Sequence, residues 1–349
     1  DPQTTPLYNT VACGKCMECR DIKATSWNIR SYYEYKDTIN CRGFVLFVTL
    51  TYNPSHLPIY ELIDTTTGEL NYIPCFSKSD IQSFHNKLRK QFKREKGYDL
   101  PIKYLITCEY GGNTHRPHYH ALYFLKLPQS YAPYIRSLIR QKWDNGFISF
   151  GQNQGIVYSN QALKYVTKYI CKDLDFQPIS DKIKFLIDDE ERFKQIKNEI
   201  FPFHLQSINL GANAINYDNN NEIIDEGKIY IPTSQGLKPV PIPLYLERKY
   251  FYSYDKELRT YQLNERGLKS KLTRLSKTKE NFLKHYNKVF DNVQNYLNDT
   301  VIKNINHLLN SNYDRNSIID SLANVRDDEK FIDYLFNERN FLRLAPHPV

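Results

Sequence analysis

The 349-residue chain has no apolar run approaching the ~18 residues that a membrane-spanning helix needs. Its polar opening, DPQTTPLYNT, lacks the apolar centre of a secretion signal. No initiator Met stands at position 1, so further residues ahead of Asp1 are expected. There is no G-x-x-x-x-G-K-[S/T] phosphate loop, which argues against an ATP-driven motor. No internal repeat or low-complexity tract is visible. Glycine is scarce, at 13 residues. The seven cysteines are an odd number in a chain without a secretion signal, which points to free thiols or metal ligands rather than disulfides.

What is abundant is aromatic and basic. The chain carries 28 Tyr and 19 Phe, and 47 Lys plus Arg against 39 Asp plus Glu, a formal charge of +8. Aromatic rings interleaved with cations suit base stacking with phosphate contact. A composition biased toward Lys, Asn, Ile and Tyr gives the same numbers without any such function. The hydrophobic content of 41% is ordinary for a globular protein of one large or two ordinary domains.

Along the chain, a helix is expected after CGKCMECR, through DIKATSWNIRSYYEYK. Residues 44–52, β-branched and aromatic almost throughout, read as a strand buried on both faces. A loop with Gly68 and Pro74 leads to a helix in SKSDIQSFHNKLRKQFKREKG, with Ile81, Phe84, Leu88 and Phe92 at helical spacing. Its other side carries Lys87, Arg89, Lys90, Lys93, Arg94 and Lys96, either a solvated face or a phosphate track. IKYLITCEY and PHYHALYFL, joined by GGNTHR, read as an antiparallel hairpin. A helix over SYAPYIRSLIRQKW, short strands near FISF and GIVY, and a helix over SNQALKYVTKYICKDL follow. PVPIPLYLERKYF reads as irregular because of its prolines, and the charged run after Lys256 reads as helical.

Two constellations carry chemistry. His118 and His120 alternate on one strand, so they share a face about 6.5–7 Å apart. Neutral imidazoles so placed can chelate one divalent ion, although an H-x-H also arises by chance. Glu109 ends the preceding strand, and the hairpin returns it beside His118. Two histidines and a carboxylate leave coordination positions open for water or substrate. The second constellation is KYVTKYICK. Tyr165 and Tyr169 are one helical turn apart, opposite the stripe of Leu163, Val166, Ile170 and Leu174. Lys168 lies beside them. A phenol ionises near pH ~10, so it needs a neighbouring cation or base to attack near neutrality. Lys168 offers that charge, or a contact to the phosphate under attack. An ordinary amphipathic surface helix would show the same pattern.

In this order, VTLTY (48–52), EYGGNTHRPHYHALYF (109–124) and YVTKYICK (165–172) resemble the three motifs of HUH-type rolling-circle replication initiators. The Y-x-x-K-Y form, and CGKCMECR near the N-terminus, are similar to those of single-stranded DNA phages of the microvirus group, gokushovirus-like ones above all. The resemblance spans roughly residues 11–175; its first motif is generic and the other two together are specific. It implies an α+β fold with a central antiparallel sheet flanked by helices, RRM-like, and a helical C-terminal extension. It implies that His118, His120 and Glu109 hold Mg²⁺ or Mn²⁺ and that Tyr165 and Tyr169 are nucleophiles. It further implies nicking of single-stranded DNA at a replication origin in the host bacterial cytoplasm, through a 5′-phosphotyrosine, with a host helicase and DNA polymerase as partners. A non-catalytic single-stranded nucleic-acid-binding protein, or a relaxase or transposase of the same superfamily, is the alternative.

The domain organisation expected is a Cys-containing segment 1–42, an endonuclease core 43–176 and a partly helical region 177–349. Cys13, Cys16 and Cys19 resemble a zinc knuckle one ligand short, with Cys41 as a candidate fourth. Reduced thiols at a helix start are the other reading.

Overall fold

The computed structural model describes residues 16–111, 115–168, 176–187, 189–214, 226–233, 235–271, 273–274 and 314. Contacts divide the chain into two compact units, one of Cys13–Asn220 with Ile229–Lys249 and the other of the remainder.

The larger unit is built on a five-stranded antiparallel sheet. Its strands are β1 (Phe44–Tyr52), β4 (Ile102–Tyr110), β5 (Pro117–Leu125), β6 (Gly146–Ser149) and β7 (His204–Gln206), in the spatial order β6-β1-β5-β4-β7. The histidine strand is therefore central, paired with β1 on one side and β4 on the other. This is the expected sheet, and it takes one edge strand from beyond residue 176.

Period-two alternation sorts the side chains of the central strands between two cores. Leu46, Val48, Leu50 and Tyr52 of β1, Ile106 and Cys108 of β4, and Tyr119, Ala121 and Tyr123 of β5 face one layer. That layer is closed by α2 (Lys78–Lys96) and α3 (Ala132–Lys142), with Ile183 of α5 (Gln177–Leu186) and Ile196 of α6 (Glu190–Ile200) joining it. Val45, Leu105, Leu122 and Phe124 point the other way, where Trp27 of α1 (Met17–Asn40) and Leu163 of α4 (Asn160–Lys168) cover them. His118, His120, Glu109 and Thr49 share the parity of this second face.

Helix ends follow their sequence signals. Ser77 caps α2 by accepting from Asp80 N at 3.1 Å, and Gly97 ends it in the left-handed region at φ 81°. The basic side of α2 is largely engaged within the molecule. Lys87 pairs with Asp144 at 2.8 Å and Lys93 with Asp99 at 3.0 Å, while Arg89 and Lys96 lie over Tyr104 and Tyr134. Because α2 covers the face away from the histidines, a phosphate contact along this run would lie on the other side of the sheet from them.

Much of the tyrosine excess is structural. Tyr33, Tyr52, Tyr110, Tyr119 and Tyr123 are buried. Each buried hydroxyl has a partner: Tyr52 donates to Asp80 at 2.9 Å, Tyr110 to the Ile200 carbonyl at 3.0 Å and Tyr33 to the Tyr230 carbonyl at 2.9 Å. Tyr119 accepts from Ser77 N at 2.8 Å, and Tyr123 meets His85 Nε2 at 3.1 Å.

Four stretches differ from the sequence expectation. The loop at Gly68 and Pro74 is a hairpin of β2 (Ile59–Ile63) and β3 (Leu70–Pro74). The Asp64 carboxylate, accepting from Thr66 N and Thr67 N, turns the chain between them. GIVY contributes one isolated bridge, Leu46 to Ile156, rather than a strand. The Pro-punctuated region contains β9 (Gly236–Pro241), paired with β8 (Lys228–Thr233), and then α7 (Leu244–Phe251). Pro243 immediately precedes that helix, where a missing N–H costs no helical bond.

In the smaller unit, β10 (Tyr252–Asp255) and β11 (Thr260–Leu263) form a hairpin where a helix was expected. Asp255 accepts from Glu257 N and Leu258 N, and Arg259 takes φ 50°, so the charged tetrapeptide between the strands is a turn. The expected helix follows the hairpin: residues 265–271 and 273–274 are helical, and its continuation past residue 274 lies outside the described residues.

Candidate active site

On β5, His118 stands opposite Glu109 of β4 and Thr51 of β1, and His120 opposite Thr107 and Thr49. The register thus delivers Glu109 to the histidine face, as the hairpin reading required. His120 Nε2 donates to Glu109 Oε2 at 2.7 Å, and both side chains are nearly buried. The other ring nitrogen, Nδ1, lies 3.1 Å from Thr49 Oγ1. His118 Nδ1 donates to the Arg116 carbonyl at 2.5 Å, which fixes the tautomer and leaves Nε2 with its lone pair outward. Gly111 makes room for that ring: a Cβ there would sit 3.0 Å from His118 Cε1.

These donors suit a divalent ion chemically. His118 has a partner for one nitrogen, which is the usual device for presenting the other to a metal, whereas His120 has a partner on both, and the carboxylate supplies charge. As placed, no three His, Cys, Asp or Glu side chains among the described residues close around one point. His120 and Glu109 are bonded directly to each other. For both to act as ligands, Nε2 must lose its proton and Nδ1–H must donate to Thr49. The hydroxyl of Thr49 would then position His120, a contact the sequence reading missed, since a threonine in VTLTY looks like any β-former.

α4 brings Tyr165 to the same face. Leu163 is buried in the core while Tyr165 is 52% exposed, as the helical stripe predicts. The Tyr165 ring meets Phe47 edge-on at 6.1 Å, and Phe47 in turn stacks on His120 at 5.9 Å with 17° between planes. A continuous aromatic path therefore links the tyrosine helix to the histidine strand. Tyr169 lies outside the described residues, as does the Lys168 side chain. Tyr119 and Tyr123 of β5, also four residues apart, are poorly placed to be nucleophiles: both are buried on the opposite face, and burial pushes both phenols far above their ordinary range.

The cysteine reading needs one correction. Cys16 caps the N-terminus of α1 and Cys41 its C-terminus, so the 24-residue helix holds them about 36 Å apart. Cys41 cannot complete a site with Cys16 and Cys19 in this chain. Cys16 Sγ accepts instead from Cys19 N at 3.5 Å, and Cys13 lies outside the described residues.

Residues 45–174 match the model of the family described as replication-associated protein ORF2/G2P. Over 254 residues the chain is 28% identical to replication-associated protein ORF2 of Spiroplasma virus 4, covering 70% of this chain and 68% of that one. Over 195 residues it is 29% identical to replication-associated protein VP4 of Bdellovibrio phage phiMH2K, covering 49% and 54% respectively. No solved structure matches. The matched segment contains all three motifs, so the resemblance to phage replication proteins is borne out.

Proposed function

We propose, for a chain whose residues 45–174 match the model of a family described as replication-associated protein ORF2/G2P, a replication initiator that nicks single-stranded DNA at the phage origin and later rejoins it. The observation that carries this reading is the convergence of Glu109, His120 and, through Phe47, Tyr165 on one sheet face.

The chemistry follows from the groups present. The Tyr165 or Tyr169 phenol gives up its proton, favoured by the Lys168 ammonium, and its oxygen attacks phosphorus. The P–O3′ bond breaks and the leaving oxygen takes up a proton. One strand end is then a 5′-phosphotyrosine and the other a free 3′ hydroxyl. The ester conserves the phosphodiester bond energy, so rejoining needs no ATP. A Mg²⁺ or Mn²⁺ ion at His118, His120 and Glu109, when bound, polarises the scissile phosphate. Thr49 orients His120 for that task, and the Arg116 carbonyl orients His118. Unwinding then falls to a host helicase and synthesis to a host polymerase.

Two tyrosines are useful because the regenerated origin must be cut while the first is still esterified. The second makes that cut, and the released 3′ hydroxyl attacks the first phosphotyrosine to close a circle. The test is incubation with Mn²⁺ and origin-derived oligonucleotides, followed by mass spectrometry of SDS-resistant adducts. DNA should be found on Tyr165 or Tyr169, and the double Tyr→Phe variant should form none. Adducts on Tyr250 or Tyr254 instead would overturn the assignment.

A further inference from the structure

Beside Tyr165, and lined in part by it, lies a cleft that the nicking chemistry leaves without an assigned occupant. It is about 530 Å³ and is lined by Phe47, Asn153, Tyr158 and Tyr165 among others. That size lies within the range of small-ligand sites. A second cleft of about 570 Å³ adjoins it through Gly151 and carries Arg136 and Arg140.

The wall between them is the segment from β6 to α4, and its backbone is constrained. Asn153 and Gln154 are consecutive non-glycine residues in the left-handed region, at φ 50° and 53°. Such strain persists only where surrounding structure enforces it, and it concentrates at functional sites. Here the enforcement is visible. Val157 N donates to the Val45 carbonyl at 2.9 Å, and Gly155 is pressed so close that a Cβ would lie 2.5 Å from the Phe47 carbonyl oxygen. The cleft is thus a formed feature pinned to β1, the strand that supplies Thr49.

We propose that this cleft receives one unstacked base of single-stranded DNA, that of the nucleotide next to the phosphate attacked by Tyr165, and that the adjoining strand runs past Arg136 and Arg140. The proposal rests on the nickase reading only for which phosphate is meant. Three features select a base as occupant. Tyr158, 62% exposed, offers an aromatic surface for stacking, and Tyr165, 52% exposed, lines the same cleft. The Asn153 carboxamide can meet the donor and acceptor edge of a base. The guanidinium of Arg140 lies 4.8 Å over the Phe150 ring, held for phosphate contact in the neighbouring cleft. A base and its phosphate are joined through one sugar, so a base seated against Tyr165 sets the phosphate beside the same residue. Duplex DNA cannot enter, because its bases are stacked and paired. One position of the origin would then be read by this cleft.

The probe is a 12-nucleotide thymidine strand with 5-iodouracil bases, irradiated on the full chain, with crosslinks mapped by peptide mass spectrometry. Crosslinks should fall on Tyr158, Phe47 or Tyr165. Tyr158→Ala, at an exposed position that does not threaten folding, should weaken binding of the unmodified strand about tenfold. Arg140→Ala should lower the salt dependence by about one phosphate contact. Crosslinks confined elsewhere, together with Tyr158→Ala binding within twofold of wild type, would overturn the proposal. The nickase reading is scored apart, by the adduct. Wild-type protein that crosslinks at the cleft yet forms no adduct supports the cleft and ends the nickase reading. An adduct on Tyr165 with unchanged Tyr158→Ala binding overturns the cleft alone.

Discussion

At the scale of single residues, the site divides into groups that would touch the reaction and groups that aim them. His118→Ala and His120→Ala should each abolish oligonucleotide cleavage while leaving single-strand affinity within a few-fold, because affinity comes from phosphate and stacking contacts elsewhere. Chelation by EDTA should have the same effect. Thr49→Val removes a hydroxyl 3.1 Å from His120 Nδ1 without changing shape much. It should lower apparent Mn²⁺ affinity about 10- to 100-fold, with Thr49→Ser restoring it; titration of cleavage against Mn²⁺ checks this. His85 behaves differently. Burial holds its pKa down at about 3, against an ordinary value near 6.5. Its contribution to stability is complete above pH ~6.5 and is lost as pH falls toward 3, since only the unfolded chain gains the proton there. Melting temperature should therefore drop between pH 6 and 4, and less steeply in His85→Gln.

At the scale of elements, α1 is held to the sheet by a partly buried ion pair as well as by Trp27. Glu34, with its side chain 1% exposed, accepts from Lys103 Nζ of β4 at 2.8 Å and from Gly211 N at 2.8 Å. Arg30, one turn earlier, is sandwiched between Trp27 at 4.1 Å and Tyr245 at 3.8 Å. Lys103→Met should cost about 3–5 kcal/mol in denaturant unfolding, because it leaves a buried carboxylate without its cation. Adding Glu34→Gln should recover part of that loss. None of this was legible beforehand: Glu34 and Lys103 look like ordinary surface residues of a helix and a strand, and only tertiary packing pairs them. The core elements were legible because their signals are local. β1 and β5 are long and strongly patterned, and α2 has both a cap and a glycine stop. The hairpins β2–β3 and β10–β11 were not, because Asp64 and Asp255 close their turns with side-chain bonds inside polar, charged sequence. Within the site, His118, His120, Glu109 and Tyr165 could be found by spacing, while Phe47, Thr49 and Gly111 could not, since their roles are relational.

At the scale of the whole molecule, the sheet separates two responsibilities by side-chain parity. From His118 to Tyr123 on β5, the odd-numbered residues Tyr119, Ala121 and Tyr123 fill the core under α2 and α3, whereas His118 and His120 present to the other side. Both sheet faces are covered by the chain's own helices, and among the described residues no helix is long and apolar enough to cross a membrane. A phage genetic screen would meet this parity as alternating phenotypes along a single strand. Substitutions at 119, 121 and 123 should be conditional, permitting plaques in the cold and none in the heat. Those at 118 and 120 should be unconditional, blocking replication at every temperature while the protein stays abundant and intact. One strand would then supply both heat-sensitive alleles and clean loss-of-function alleles, one codon apart.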